Sequence, residues 1–234
     1  MPYANLRDFI ERLERSGRLV RVREAVSTHL EMTEIQTRLL AEGGPAVLFE
    51  NAVDANGKPA AMPVLVNLFG TVERVAWGME REPKDLRQLG ETLAFLRQPE
   101  PPGGWREAME LLPLVKSMLA MQPKSLSSGP AQEVVLTGGD IDLGQLPVQT
   151  CWPGDVAPLI TWPLVVTKGP GSGKADSYNL GIYRLQVIGQ NQTMMRWLKH
   201  RGGAQHHARW GKERPEPFPA AAVIGADPGT IIAA

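Results

Sequence analysis

A chain of 234 residues with 43% apolar and 21% charged side chains is long enough to bury a real core and too apolar for wholesale disorder. Its 25 basic and 25 acidic residues cancel, which argues against a dedicated nucleic-acid binder. The one cysteine, Cys151, excludes an internal disulfide framework and a cysteine-rich zinc site, and points to a reducing cytoplasm. The opening MPYANLRDFIERLERSGRLVRV mixes acids and bases without a long apolar region, so it reads as neither a signal nor a transit peptide. No run of about eighteen apolar residues occurs, so no membrane-spanning helix is expected; a peripheral contact stays open.

In chain order, Asn5 reads as a helix cap, with Leu6, Phe9, Ile10 and Leu13 at helical spacing until Ser16-Gly17. LVRVREAV then alternates as a strand, and a second helix, about Met32 to Ala41, ends at Gly43-Gly44-Pro45. Ala46–Phe49 and Pro63–Asn67 read as buried strands on either side of the turn-rich Asp54 to Lys58. Helical spacing returns from Thr71, again over Pro83 to Leu96, and again over Trp105 to Met121. The breaker run QPEPPGG, Gln98 to Gly104, is a loop, and Pro123 to Pro130 is the linker candidate.

Beyond it the pattern shifts to strands: EVVLTG, LPVQTCWPGD, LITWPLVVTKG and NLGIYRLQVIG. GPGSGK, Gly169 to Lys174, lacks Walker spacing and falls between two strands, so it reads as a hairpin turn. The adjacent His206-His207 and the acids Glu213 and Glu216 read as exposed loop or helix-end residues, and Cys151 as a packing thiol.

One stretch carries more chemistry than the rest. Tyr178 to Gly203 holds Arg184, Arg196, Arg201, His200 and the Gly202-Gly203 pair, and contains no Asp or Glu. Arginine's planar fork suits a phosphate, and a glycine pair lets backbone approach a ligand closely. In NLGIYRLQVIG, a period of two puts Asn179, Gly181, Tyr183 and Leu185 on one side, with Leu180, Ile182, Arg184 and Gln186 on the other. Gln190-Asn191 reads as a hairpin or strand-to-helix turn, with a short helix or tight loop opening at Thr193. Three arginines and a histidine are also what a solvated surface looks like. Residue type alone therefore reaches only a weak anion site.

The strings NLGIYR, RWLKHRGGA and PFPAAAVIGADPGTI, with the opening LRDFIERLERSGRLVRV, PVLVNLFGT and LPVQTCWPGD, closely resemble the UbiD family of reversible decarboxylases, specifically its 4-hydroxy-3-polyprenylbenzoate branch in ubiquinone biosynthesis. The resemblance covers essentially the whole chain and implies an α+β protein. An N-terminal α/β domain over residues 1–122 would precede an incomplete split β-barrel of the flavin-reductase FMN-binding type over 123–234. It implies prenylated FMN bound with a divalent metal, usually manganese (Mn2+), and a potassium ion (K+). By position, Asn179 matches the family's metal-ligating asparagine, and His200 occupies the place of its metal histidine, although that spacing varies among branches. Ile182, Tyr183 and Arg184 match one cofactor-contacting segment, and Arg184 also matches the catalytic arginine. Arg196, Trp197, Leu198, Arg201 and Gly202 match a second segment.

The resemblance further implies a prenylated aromatic acid substrate, a homo-oligomer in the full-length form, and a flavin prenyltransferase as cofactor supplier. A lipophilic substrate implies work at the cytoplasmic face of a membrane. The chemistry suits these residue types: loss of carbon dioxide from an aromatic acid leaves electron density on a ring carbon, for which the cofactor is a sink, and Arg184 would hold the substrate carboxylate. In the family, the metal-binding glutamate and the proton-donating acid lie downstream of ADPGTI. GTIIAA reads as the middle of a strand, so the expectation is a fragment, with a non-catalytic flavin-binding or assembly module as the alternative.

Overall fold

The computed structural model describes residues 3–98, 104–106, 109, 112, 116, 126–173 and 177–234. They divide into two compact units, Met1–Pro83 with Ile141–Ala234, and Lys84–Asp140.

The first unit begins with helix α1, Leu6–Arg15. Its cap is the expected one: Asn5 Oδ1 accepts from the N–H groups of Arg7 at 2.8 Å and Asp8 at 3.2 Å. Phe9 and Leu13, one helical turn apart, are fully buried. Each such burial contributes about 1.5–3 kcal/mol. Strand β1, Leu19–Ser27, runs parallel to β2, Ala46–Val53, with α2, Glu31–Ala41, as the crossover; β3, Val64–Val66, pairs antiparallel to β2. The central β2 is covered on both faces. Val47 and Phe49 point into a cluster with Met32 of α2, whereas Ala46 and Leu48 point into one with Phe9 and Leu13 of α1. That two-sided burial is why AVLF reads as a continuous apolar run.

Helix α3, Val72–Gly78, is capped by Thr71 and carries a fully buried Arg74. Among the described residues no carboxylate forms a salt bridge with its guanidinium. It donates instead to the carbonyls of Leu68 at 3.1 Å, Gly44 at 2.9 Å and Asn67 at 3.1 Å. Burial lowers its pKa, but a guanidinium remains charged at any physiological pH. The Asn67 amide, on a residue held at φ 55°, adds bonds to the Gly44 and Pro45 carbonyls, so one cation and one amide close the turn after β3 onto the loop before β2.

The same unit contains two antiparallel sheets. One is ordered β4-β7-β8, from Leu159–Ile160, Leu185–Gly189 and Gln192–Met195; the other is ordered β6-β5-β9, from Tyr178–Ile182, Leu164–Lys168 and Ala220–Val223. Helix α5, Gly202–Glu213, packs on β5 and β6. (The fourth helix, α4, Leu86–Arg97, belongs to the other unit.) The N-terminal layer joins this part through backbone bonds between Thr28, Leu30 and Thr150, and through Phe69 stacked on Trp162 at 5.6 Å. Among the described residues the sheets form no closed barrel, and no helix is long and apolar enough to cross a membrane.

Several expectations change. LITWPLVVTKG splits into β4 and β5 because Trp162-Pro163 interrupts it, and proline has no N–H for a ladder. LPVQTCWPGD forms one bridge, Thr150 to His29, for the same reason at Pro147 and Pro153. EVVLTG is not a strand: Val134, Val135 and Leu136 are exposed and pair with no strand among the described residues, so β-propensity has nothing to act on. GTIIAA is not a strand either. Asp227 caps the Thr230 N–H at 3.0 Å and Pro228 occupies the first turn, which starts helix α6, Pro228–Ala233. Cys151 is half-buried rather than packed away. Much of the Gln98 to Gly104 loop, of the helix expected over Trp105 to Met121 and of the linker from Pro123 lies outside the described residues, as does Lys174; Trp105, Arg106, Met109, Leu112 and Lys116 are helical.

Replacing Arg74 with leucine would leave the Leu68 carbonyl without its side-chain donor and the Asn67 carbonyl with only the Gly70 N–H at 3.3 Å. We expect a loss of about 3 kcal/mol in urea unfolding. An unchanged midpoint would show that the carbonyl cage does not hold the turn.

Candidate functional site

The acid-free stretch is a double crossing between the two sheets. Strand β6 ends at Ile182 in one sheet, Tyr183-Arg184 makes the passage, and β7 begins at Leu185 in the other. The chain turns at Gln190-Asn191, returns along β8, and passes back through Arg196 to Arg201 into α5. Met194 and Met195 are therefore strand residues, and the helix starts later than Thr193. Leu185 pairs with Met195, so Arg184 and Arg196, the residues flanking that pair, leave the same end of the β7–β8 hairpin. Both are exposed.

The return segment packs back on the outgoing one. In the β5–β6 ladder Thr167 faces Asn179 and Val165 faces Gly181, which puts these four on one face. Helix α5 covers that face. A side-chain carbon at Gly202 would collide with the Asn179 amide, its Cγ lying 2.7 Å away, so the first turn of α5 rests directly on that amide. The Gly203 position meets the Trp197 indole at 3.1 Å, and the Tyr183 ring folds back over Gly181. Tyr183 and Trp197 then meet edge to face at 5.9 Å, and Trp197 continues through His207 and Phe218.

Two polar atoms in this group are buried without a protein partner: Asn179 Nδ2 and Trp197 Nε1. Gln149 Nε2 is the third such atom among the described residues. Buried donors are normally satisfied, so a cluster of orphans marks a place for a ligand acceptor or water. The first turn of α5 adds backbone N–H groups with no intrahelical acceptor, and it carries no acid. Among the described residues no carboxylate pairs with Arg184, Arg196 or Arg201. The arrangement can hold a phosphate ester. A carboxamide that turns over would present Oδ1 where Nδ2 now lies, a donor that suits a divalent cation. Among the described residues no three His, Cys, Asp or Glu side chains form a metal cage, so such a cation would draw its anionic ligands from elsewhere.

The structure brings Asn179, Tyr183, Trp197 and Gly202 into one packed group. Arg201 occupies the residue before α5, its carbonyl accepting from Gln205 N–H at 3.0 Å. Leu198 and His200 are exposed on the connecting turn, where the His200 carbonyl accepts from Gln205 Nε2 at 3.1 Å. Ile182 faces outward with Leu180, away from Asn179. The residue-type reading missed Thr167 and His206. His206, which reads from the sequence as an exposed loop or helix-end residue, is buried inside α5 with Nδ1 3.1 Å from Thr167 Oγ1. The signal was available: Gly202 and His206 are four apart, hence on one helical face.

Residues 10–93 match the family description 3-octaprenyl-4-hydroxybenzoate carboxy-lyase N-terminal domain, and residues 124–234 match its Rift-related domain. Together they take in most of the chain, which belongs to the UbiD family. Among solved structures, an evolved dimeric form of the UbiD-class enzyme HmfF from Pelotomaculum thermopropionicum, in complex with prFMN, is 25% identical. Its TM-score is 0.72, over 95% of this chain and 44% of that one. The same enzyme in complex with FMN gives 25% and 0.72, over 95% and 43%. The closed form of vanillic acid decarboxylase from Sedimentibacter hydroxybenzoicus is 23% identical with a TM-score of 0.75, over 99% and 44%, a likeness of fold. The chain thus spans less than half the length of these structures.

Gly202→Ala puts a Cβ into overlap with the Asn179 amide, whereas at Gly203→Ala the nearest Trp197 atom lies at 3.1 Å, a tight contact rather than an overlap. We expect Gly202→Ala to cost about 1–3 kcal/mol of unfolding free energy and Gly203→Ala clearly less. Equal costs in urea melts would contradict the close approach.

Proposed function

We propose that this chain forms part of a prenylated-FMN-dependent carboxy-lyase acting on an aromatic acid. The observation that carries this is the packing of the α5 first turn on Asn179, beside an orphaned indole N–H and arginines that no described carboxylate neutralises. Family membership supports the reaction class, and the flavins named in the two HmfF structures support the cofactor class. When bound, the flavin supplies an electron-accepting centre for the ring carbon that loses carbon dioxide.

The chain's own residues would act as follows. Asn179 and the α5 N–H groups hold the phosphate end, with Arg196 and Arg201 adding charge. Tyr183, Trp197 and Leu198 offer apolar surface to the ring system, with Ile182 on the opposite face of β6 at the end of the same segment. Arg184, on the passage between sheets, would both contact the flavin and bind the substrate carboxylate until it departs as neutral carbon dioxide. Its attraction is thus strongest for the bound acid and absent from the product, which favours release. His200 and Asn179 would hold a divalent metal, Mn2+ in our reading, and K+ would be a second cation of the site.

The finer reading is a 4-hydroxy-3-polyprenylbenzoate substrate in ubiquinone biosynthesis. A homo-oligomer, cofactor supply by a flavin prenyltransferase and peripheral contact with the cytoplasmic face of a membrane go with it. We place the domain division near residue 123, between the two matched stretches, and read the two antiparallel sheets as part of a split barrel of the flavin-reductase type.

Mixing the purified chain with FMN and Mn2+ and following flavin fluorescence tests the site. We expect saturable binding that Arg184→Ala weakens about tenfold and Arg184→Lys does not restore, since lysine lacks the planar fork. Unaltered binding in Arg184→Ala would remove that residue from the site. Decarboxylation of a 4-hydroxy-3-prenylbenzoate by the prenylated-FMN-loaded protein, set against vanillic acid, tests the substrate; preference for vanillic acid would overturn the polyprenyl reading.

A further inference from the structure

The face of the β5–β6 ladder beneath α5 is built as a square. Thr167 and Asn179 are direct cross-strand partners, so their side chains stand next to each other on that face. Gly202 and His206 are one turn apart on α5, so they too are neighbours. The two pairs meet corner to corner: Gly202 rests on the Asn179 amide, and His206 Nδ1 lies 3.1 Å from Thr167 Oγ1. Thr167 is 2% exposed and His206 6% exposed. This hydrogen bond is therefore made in a dry interior, where losing it costs more than it would at the surface. Glycine offers no side chain with which to fix the first turn over Asn179. The directional contact one turn later supplies what Gly202 lacks.

We propose that Thr167 and His206 are positioning residues of the phosphate-binding site. Their hydrogen bond fixes the rotation and height of α5 over the sheet, and so fixes the orientation of the Asn179 carboxamide and of the helix N–H groups beside it. Neither residue touches the ligand; both act through Gly202 and Asn179. The inference rests on the proposed function only for what the site holds. The positioning itself is a property of this chain alone.

The square explains two features that packing alone does not. A threonine at 2% exposure in a strand otherwise lined by Leu164 and Val165 needs a polar partner, and His206 is that partner. His206 is buried while the next residue of the helix, His207, is exposed, and on the sheet side its ring nitrogen meets the Thr167 hydroxyl.

The test uses the whole chain and two independent readouts. The first is the side-chain amide resonance pair of Asn179 in nitrogen–proton correlation spectra without ligand, identified by its loss in Asn179→Asp. The second is the dissociation constant for FMN in the presence of Mn2+. Thr167→Val keeps the shape and removes the hydroxyl, and His206→Leu removes the ring nitrogen. Both should displace the Asn179 resonances and weaken FMN binding about tenfold. Thr167→Ser and His206→Asn keep a polar atom in place and should leave the resonances unmoved and binding within about twofold.

Asn179 resonances that stay put in both apolar variants overturn the proposal, as do resonances that move as far in Thr167→Ser and His206→Asn. If the apolar variants do not fold, His206→Asn against His206→Gln decides. Asparagine reaches the Nδ1 position and glutamine overshoots it, so only glutamine should shift the Asn179 signals; equal behaviour overturns the inference. Failure of the unaltered chain to bind FMN, with the resonance shifts as expected, would instead sink the flavin reading and leave the positioning standing.

Discussion

Helix α5 can lie where it does only because residue 202 has no side chain. Its first turn sits against the Asn179 amide at a distance that any Cβ would prevent, and the adjoining glycine lets the Trp197 indole fill the space beside it. From this approach follow the burial of the Asn179 and Trp197 donors, the aromatic line from Tyr183 to Phe218, and the direction of the helix N–H groups. A single absent methyl group thus converts a helix packed on a sheet into a candidate anion site.

The charge arrangement gives that site its sign. The chain is neutral overall, but the neutralisation is uneven. In the N-terminal layer Arg18 pairs with Glu73, Arg21 with Glu14 and Glu50, and Arg38 with Glu34. Such exposed pairs contribute little stability, about 0–1 kcal/mol each, yet they leave no local field. The double crossing between sheets carries cations and no acid. An anion arriving there meets arginines that no carboxylate among the described residues has already engaged.

Legibility followed the range of the interactions. The Asn5 cap, the α1 and α2 spacing and the extent of β1 are local patterns, and the structure reproduces them within a residue or two, although a register shift between Val22 and Ala25 breaks the alternation expected of β1. The errors lie where a pattern depended on a distant partner. EVVLTG has the residues of a strand but no strand beside it among the described residues; GTIIAA is the exception, a local misreading, since the Asp227-Pro228 cap just ahead of it starts a helix. At the site, the period of two correctly put Asn179 and Gly181 on one face and Leu180 and Ile182 on the other. It could not show that α5 would cover the first face, and so His206 went unrecognised.

By itself the sequence determined the local elements, the family, and the concentration of cations and glycines in one acid-free stretch, because caps, periodicities and composition are properties of neighbours along the chain. Only the tertiary structure decided that Gly202 meets Asn179 and that His206 meets Thr167. Those contacts join residues 23 and 39 positions apart. They require a helix to close onto a particular face of a particular strand pair, a choice made by packing and by the burial of polar atoms that no local pattern encodes.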